Sequence, residues 1–221
     1  MKNKTKTILC TAAIVGVVGV SGIFAYLTDT DTASNKFTVG QVKIDLQEPT
    51  WDEADDTDND GIPDYAEDIV PNATIAKDPQ VKNVGKNDAY IYLKVTVPAK
   101  SVITAEEDGT RANGGVAQAT QLFSYTPNAN WTEITSKKAT NTNDAGEVES
   151  YTYVYYYNTK VAPEATTTTL FDEVKFANVI EEQIDLSEQQ IDIEAYAIQA
   201  DNLPADTSIE DAYTIYVNQN K

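Results

Sequence analysis

The chain has 221 residues, of which 35 are acidic, 16 are basic and none is histidine, so its formal net charge is −19. This charge argues against nucleic-acid binding, which needs clustered Lys and Arg to displace phosphate counterions. Without histidine, the chain has neither a Ser-His-Asp triad nor a histidine-ligated catalytic zinc. The many acidic residues leave a pair of catalytic carboxylates possible. No Asp-Thr/Ser-Gly signature is present, however, and we expect no enzymatic activity.

The N-terminal segment has the pattern of an export signal. Three lysines stand among the first six residues, and residues 8–20 are almost entirely apolar or small. This pattern predicts a signal peptide over residues 1–25 that is cleaved after Ala25, so that the chain meets the membrane only in transit. A retained membrane anchor is the alternative, because residues 7–27 carry no charge and roughly 20 apolar residues span a bilayer.

Cleavage would leave one mature domain, residues 26–221, whose net charge becomes −22 once the three signal lysines are lost. The only cysteine, Cys10, lies within the signal. The mature protein would therefore be secreted without any disulfide, and its stability would come from packing and from a metal ion.

An acidic segment follows the first predicted strand. Residues 56–67 read DTDNDGIPDYAE, which matches the calcium loop D-x-[DN]-x-[DN]-G-x5-E at every ligand position. Alternate residues of such a loop point at the ion, the glycine allows a sharp turn, and the final Glu binds with both oxygens. The match predicts one Ca²⁺ site, because hard oxygen ligands suit Ca²⁺ better than zinc or copper. Its ligands would be Asp56, Asp58, Asp60, the Ile62 carbonyl, Asp64 and Glu67.

Two features qualify this metal site. Pro63 occupies the position at which paired EF-hand loops bridge to each other, and proline has no N–H to donate. The loop therefore resembles the single D-x-D-x-D-G-x-P-D loops of thrombospondin type 3-like repeats, with an expected Kd of about 10⁻⁴ to 10⁻³ M. The alternative is a solvated acidic linker, because residues 52–68 contain nine acids and no base. We place the loop as an insertion over about residues 50–68.

Alternation of apolar and polar residues predicts strands along most of the remaining chain. In residues 89–97 the aliphatic side chains at odd positions share one face, Tyr and polar side chains share the other, and Pro98 ends the strand. The fold class is thus all-β, a jelly-roll-like antiparallel β-sandwich. The predicted strands cover residues 41–46, 89–97, 150–158, 170–176 and 190–198, with a weaker candidate at 77–83.

The strand over residues 150–158, SYTYVYYYN, places four tyrosines on one face. An aromatic platform for stacking on glycans or bases is one interpretation. A strand whose amphipathic rings cover a sheet surface is the other, and the negative charge and lack of interleaved bases favour it.

A short helix is predicted near the end of the sequence. Thr207 and Glu210 match a capping box, with Thr207 as the N-cap. Apolar residues then recur at helical spacing, at Ile209, Ala212, Tyr213, Tyr216 and Val217. This helix would cover one end of the sandwich.

Three stretches taken together resemble the TasA/camelysin family of Gram-positive bacteria, whose signals are removed by a SipW-type signal peptidase. The first stretch combines GIFAYLTD at residues 22–29 with NKFTVGQV at 35–42. The second combines IVPN at 69–72 with VKNVGKNDAYI at 81–91, and the third is AYAIQAD at 195–201. The resemblance implies an exported jelly-roll domain of the cell surface or biofilm matrix. Camelysin has been described as a metalloprotease, but the lack of histidine here excludes an HExxH site.

TasA-like members assemble into fibres in which an N-terminal strand of one subunit completes the sheet of the next. By this resemblance, residues 26–39 would be the donated strand; packing on their own domain is the alternative. We therefore expect a secreted structural subunit that self-associates, with other matrix or cell-wall components as further candidate partners. The second hypothesis is a monomeric, calcium-dependent surface adhesin.

Overall fold

The computed structural model describes residues 40–180, 182–184 and 189–221, and antiparallel strands dominate it. The predicted signal over residues 1–25 and the candidate donor strand over 26–39 lie outside the described residues. The all-β prediction is confirmed, as is the short helix near the end of the sequence. The strands are β1 Ile44–Gln47, β2 Thr74–Ala76, β3 Gln80–Asn83, β4 Ala89–Val102, β5 Gln118–Gln121, β6 Phe123–Ser124, β7 Trp131–Glu133, β8 Ala139–Thr142, β9 Val148–Tyr157, β10 Glu173–Phe176 and β11 Asp192–Gln199, and the α-helices are α1 Pro49–Asp52 and α2 Ile209–Gln219.

The described strands form three antiparallel sheets. The largest has the order β11-β4-β9-β7, with β5 also pairing with β4 and β8 with β9. A second sheet has the order β2-β10-β6, and β1 pairs with β3 in a third. The main core lies between the first two sheets, because side chains of β4 and β9 share it with those of β2, β6 and β10.

Strand β4 is the centre of the fold. Its odd-numbered side chains from Ala89 to Val97 have no exposed surface, as the alternation predicts. The prediction that Pro98 ends the strand is wrong, since β4 continues to Val102. Proline is tolerated because the strand changes partner there: Pro98 is the last residue paired with β9, and Ala99 is the first paired with β5. The carbonyl of Pro98 accepts from Leu122 N at 2.9 Å.

The opposite face of β4 is covered by α2. Tyr92 is fully buried there, its ring centre 5.1 Å from that of Tyr213 on α2, and its hydroxyl donates to the Ile209 carbonyl at 2.8 Å. The predicted cap is wrong by one residue, because the N-cap is Ser208 and not Thr207. The Ser208 hydroxyl accepts from Asp211 N at 3.0 Å, whereas the Thr207 hydroxyl donates to the Pro204 carbonyl.

Three of the four tyrosines in the row on β9 contact the main core. Tyr155 is 3% exposed, and Tyr153 and Tyr157 are half-buried against the same cluster. Burial raises the pKa of Tyr155 to about 12, and its hydroxyl shares a 3.2 Å hydrogen bond with that of Tyr125. This confirms the interpretation of the row as rings that cover a sheet surface.

Candidate metal site

The acidic segment lies between β1 and β2 and is fixed to the sandwich at both ends. At its start, the Thr50 N–H and hydroxyl both donate to the Asp78 carboxylate. At its end, a 3-10 turn over Asp64–Ala66 presents Tyr65, whose hydroxyl donates to the Ala76 carbonyl at 3.2 Å. The rings of Trp51 and Tyr65 meet edge to face with centres 6.2 Å apart, so the two ends also contact each other.

A buried ion pair strengthens the first attachment. Lys77 Nζ lies 2.7 Å from Glu48 Oε2, and the two side chains are only 10% and 17% exposed. The ammonium also lies 4.5 Å from the centre of the Trp51 ring, where the negative face of the indole attracts it.

Within the segment, the backbone turns around the carboxylate of Asp56. Its Oδ1 accepts from Asn59 N at 2.7 Å and from Asp60 N at 3.2 Å, and its Oδ2 accepts from Gly61 N at 3.0 Å. Asn59 and Gly61 have φ values of 62° and 91°, the left-handed region that asparagine and glycine enter at low cost. The sharp turn that the sequence predicts at Gly61 is therefore present.

This turn gathers three carboxylates. Asp56, Asp58 and Asp60 each offer an oxygen, and these oxygens lie within 4.8 Å of one another, so the group can hold a metal ion. Asp58 and Asp60 are exposed and Asp56 is partly buried. Their oxygens also accept backbone N–H groups, from Asp60 N to Asp58 and from Ile62 N to Asp60, which sets the direction of each carboxylate.

Asp64, the fourth carboxylate of the predicted set, has a different set of partners. The Thr57 N–H donates to its Oδ1 at 2.8 Å and the Thr57 hydroxyl to its Oδ2 at 2.6 Å. These bonds lower the pKa of Asp64, with the hydroxyl as the larger cause. Its own N–H donates to the Asp55 carbonyl at 2.9 Å. Asp64 thus closes the loop, while its oxygens lie outside the three-carboxylate group.

Glu67 lies within the electrostatic field of the group. Its pKa is raised, first by desolvation and then by the negative charges of Asp58, Asp60, Asp64 and Asp68. A cation among these carboxylates would reverse that repulsion. The structure therefore brings three predicted ligands together, and negative charges of this group act on the Glu67 carboxylate.

Sequence reasoning missed Thr57 and Lys77. Thr57 stands at a variable position of the calcium-loop pattern, and its partner is seven residues away, so no local spacing indicates its role. The partner of Lys77 is 29 residues away. Lys77 is the first residue of the weaker strand candidate at 77–83, and that pattern gives no indication of its partner.

No protein-family model, curated protein or solved structure matches this chain. Among the residues that the structure describes, no helix is long and apolar enough to cross a membrane.

Proposed function

We propose that residues 56–67 bind one Ca²⁺ and that the protein is an exported structural subunit of a Gram-positive cell surface or biofilm matrix, of the TasA/camelysin type. The observation that carries the calcium proposal is the convergence of Asp56, Asp58 and Asp60 within 4.8 Å. The resemblance of the three sequence stretches carries the assignment to this type of protein.

Calcium accounts best for the chemistry of the loop. Ca²⁺ takes six to eight oxygen ligands in flexible geometry, and the segment supplies carboxylates at all five side-chain ligand positions of such a loop. The ion would draw in Glu67 and the Ile62 carbonyl, and Asp64 would act directly or through a water while Thr57 holds it. The preceding helix α1 has only four residues, which together with Pro63 favours a solitary stabilising site over a paired sensor.

The self-association proposal draws on the terminal strand of the largest sheet. Strand β11 is the terminal strand of the largest sheet and, within the described residues, pairs only with β4. This strand is eight residues long, and strand addition would use the backbone groups of its second side. We propose that residues 26–39 of a neighbouring subunit supply that strand.

Negative-stain electron microscopy of the secreted protein, with CaCl₂ and with chelator, tests this function. Regular fibres from residues 26–221, and monomers from residues 40–221 under the same conditions, are the expected results. Equal fibre formation by both forms would overturn strand donation. Persistent monomers of the longer form that bind a surface ligand only with calcium would instead favour the adhesin.

A further inference from the structure

A groove of about 970 Å³ lies between the acidic segment and the sheet formed by β2, β10 and β6. Ile75, Phe123, Val174 and Phe176 form its apolar floor, and each is less than 7% exposed. Trp51, Ile69 and Ile184 line its sides and are only partly buried. Residues 185–188, which connect two of the lining segments, lie outside the described part of the chain. This volume is at the upper end of the roughly 300–1,000 Å³ typical of ligand sites.

The groove has an acidic rim. Asp60, Glu67, Asp68 and Glu182 are among its lining residues, and all four are exposed. The only base among the described lining residues is Lys77, and its ammonium is already paired with Glu48 at 2.7 Å. When no cation is bound at residues 56–67, an occupant of this groove therefore meets an apolar floor and a negative border.

This combination identifies the chemistry of the occupant. Apolar floors select apolar side chains, and a rim of one charge sign favours a partner of the other sign by steering it and by penalising like charges. A segment of a second copy of this chain is a poor match for the rim, because each copy carries 35 acidic and only 16 basic residues. We propose that the groove docks a peptide segment of another protein in which apolar side chains alternate with basic ones.

Half of the rim can be tested apart from the calcium site. Asp68 and Glu182 belong to the rim and not to the ligand set, so they can be changed without removing a ligand. Both have positive φ, 45° and 65°, and the changes Asp68→Asn and Glu182→Gln keep shape while removing charge. Asp206 and Glu164 form a matched control, since they are exposed and have φ values of 62° and 63°.

Calorimetric titration of the full secreted protein with three synthetic peptides provides the test. The peptides acetyl-KVKVKVKV-amide, acetyl-KSKSKSKS-amide and acetyl-EVEVEVEV-amide separate the apolar from the charge requirement. We expect saturable binding of the first peptide alone, with a change in the emission of Trp51. The double variant Asp68→Asn/Glu182→Gln should weaken it roughly three- to tenfold, and Asp206→Asn/Glu164→Gln should leave it unchanged.

Three results would overturn the proposal. Absence of binding by the Lys/Val peptide removes the docking site. Equal binding of the Lys/Ser peptide, or equal weakening by both double variants, reduces the interaction to nonspecific attraction by an acidic surface. Binding of the Glu/Val peptide at the same strength removes the role of the rim. Each peptide titration is made once with calcium and once with chelator. Loss of peptide binding can then be told apart from loss of calcium binding.

Discussion

Lys77 and Glu48 form an ion pair that is largely shielded from water, at 2.7 Å, and it joins the start of the acidic segment to the chain that enters β3. Glu48 Oε1 is buried without a hydrogen-bond partner among the described residues, so its charge depends on Lys77. The pair therefore links the surface loop to the packing of the sandwich.

Removal of one member of this pair should destabilise the fold. Lys77→Met leaves the Glu48 charge uncompensated, and we expect a loss of about 2–4 kcal/mol in the free energy of unfolding. The double variant Glu48→Met/Lys77→Met should lose less than the sum of the single variants. The exposed pair Lys82–Glu164 is the control, and Lys82→Met should cost at most about 1 kcal/mol. Chemical denaturation measures all four; additive single effects at Glu48 and Lys77 would rule out the coupling.

A second ion pair gives a pH-dependent prediction. Lys94 and Glu194 stand opposite each other on β4 and β11 and are hydrogen-bonded, and the Tyr196 hydroxyl donates to the same carboxylate. These bonds, the Lys94 bond foremost, lower the pKa of Glu194 below its usual 4.5. A lowered carboxylate pKa stabilises the fold above the ordinary value, and that contribution is lost as the pH falls through the folded pKa.

Glu194→Gln should therefore cost about 0.5 kcal/mol near pH 7 and almost nothing near pH 3, because the pair is partly exposed and screened. Urea denaturation at the two pH values measures the difference. Glu173→Gln serves as a control, since Glu173 is exposed on β10 and no ion pair joins it to another described residue. An equal cost at both pH values would show that charge is not the source of the effect.

The cap of α2 can be tested by two neighbouring substitutions. Ser208→Ala should destabilise the protein by about 1 kcal/mol, because the Asp211 N–H loses its acceptor. Thr207→Ala should cost less, since the Thr207 hydroxyl bonds to a turn carbonyl outside the helix. Thermal unfolding of both variants compares them. A larger effect at Thr207 would restore the capping box that the sequence pattern predicts.

The sequence pattern located α2 but placed its N-cap at Thr207 instead of Ser208. Alternation identified β4 and β9, because one buried face imposes a two-residue period on the chain. It missed β5, β7 and β8, which are short and mostly polar, since their pairing with β4 and β9 depends on residues distant in sequence. Likewise, the alternation of β4 places Tyr92 on the face of the polar side chains, because the pattern of β4 alone does not indicate that α2 covers it.

The metal site likewise has one part that the sequence predicts and another that it does not. The positions of Asp56, Asp58, Asp60 and Gly61 follow from local turn chemistry, and local spacing was sufficient to predict their convergence. The anchoring of the loop by Lys77 and Tyr65 depends on tertiary contacts, which no spacing within residues 50–68 encodes.

Calcium binding by this loop is the central claim, and isothermal titration of the secreted protein with CaCl₂ tests it most directly. The double variant Asp58→Ala/Asp60→Ala removes two converging carboxylates. The control Asp144→Ala/Asp201→Ala removes two exposed acids elsewhere. We predict one saturable site with a Kd of about 10⁻⁴ to 10⁻³ M in the wild type and the control, and no saturable heat in the Asp58/Asp60 variant. No saturable binding by the wild type, or equal binding by the Asp58/Asp60 variant, would contradict the claim.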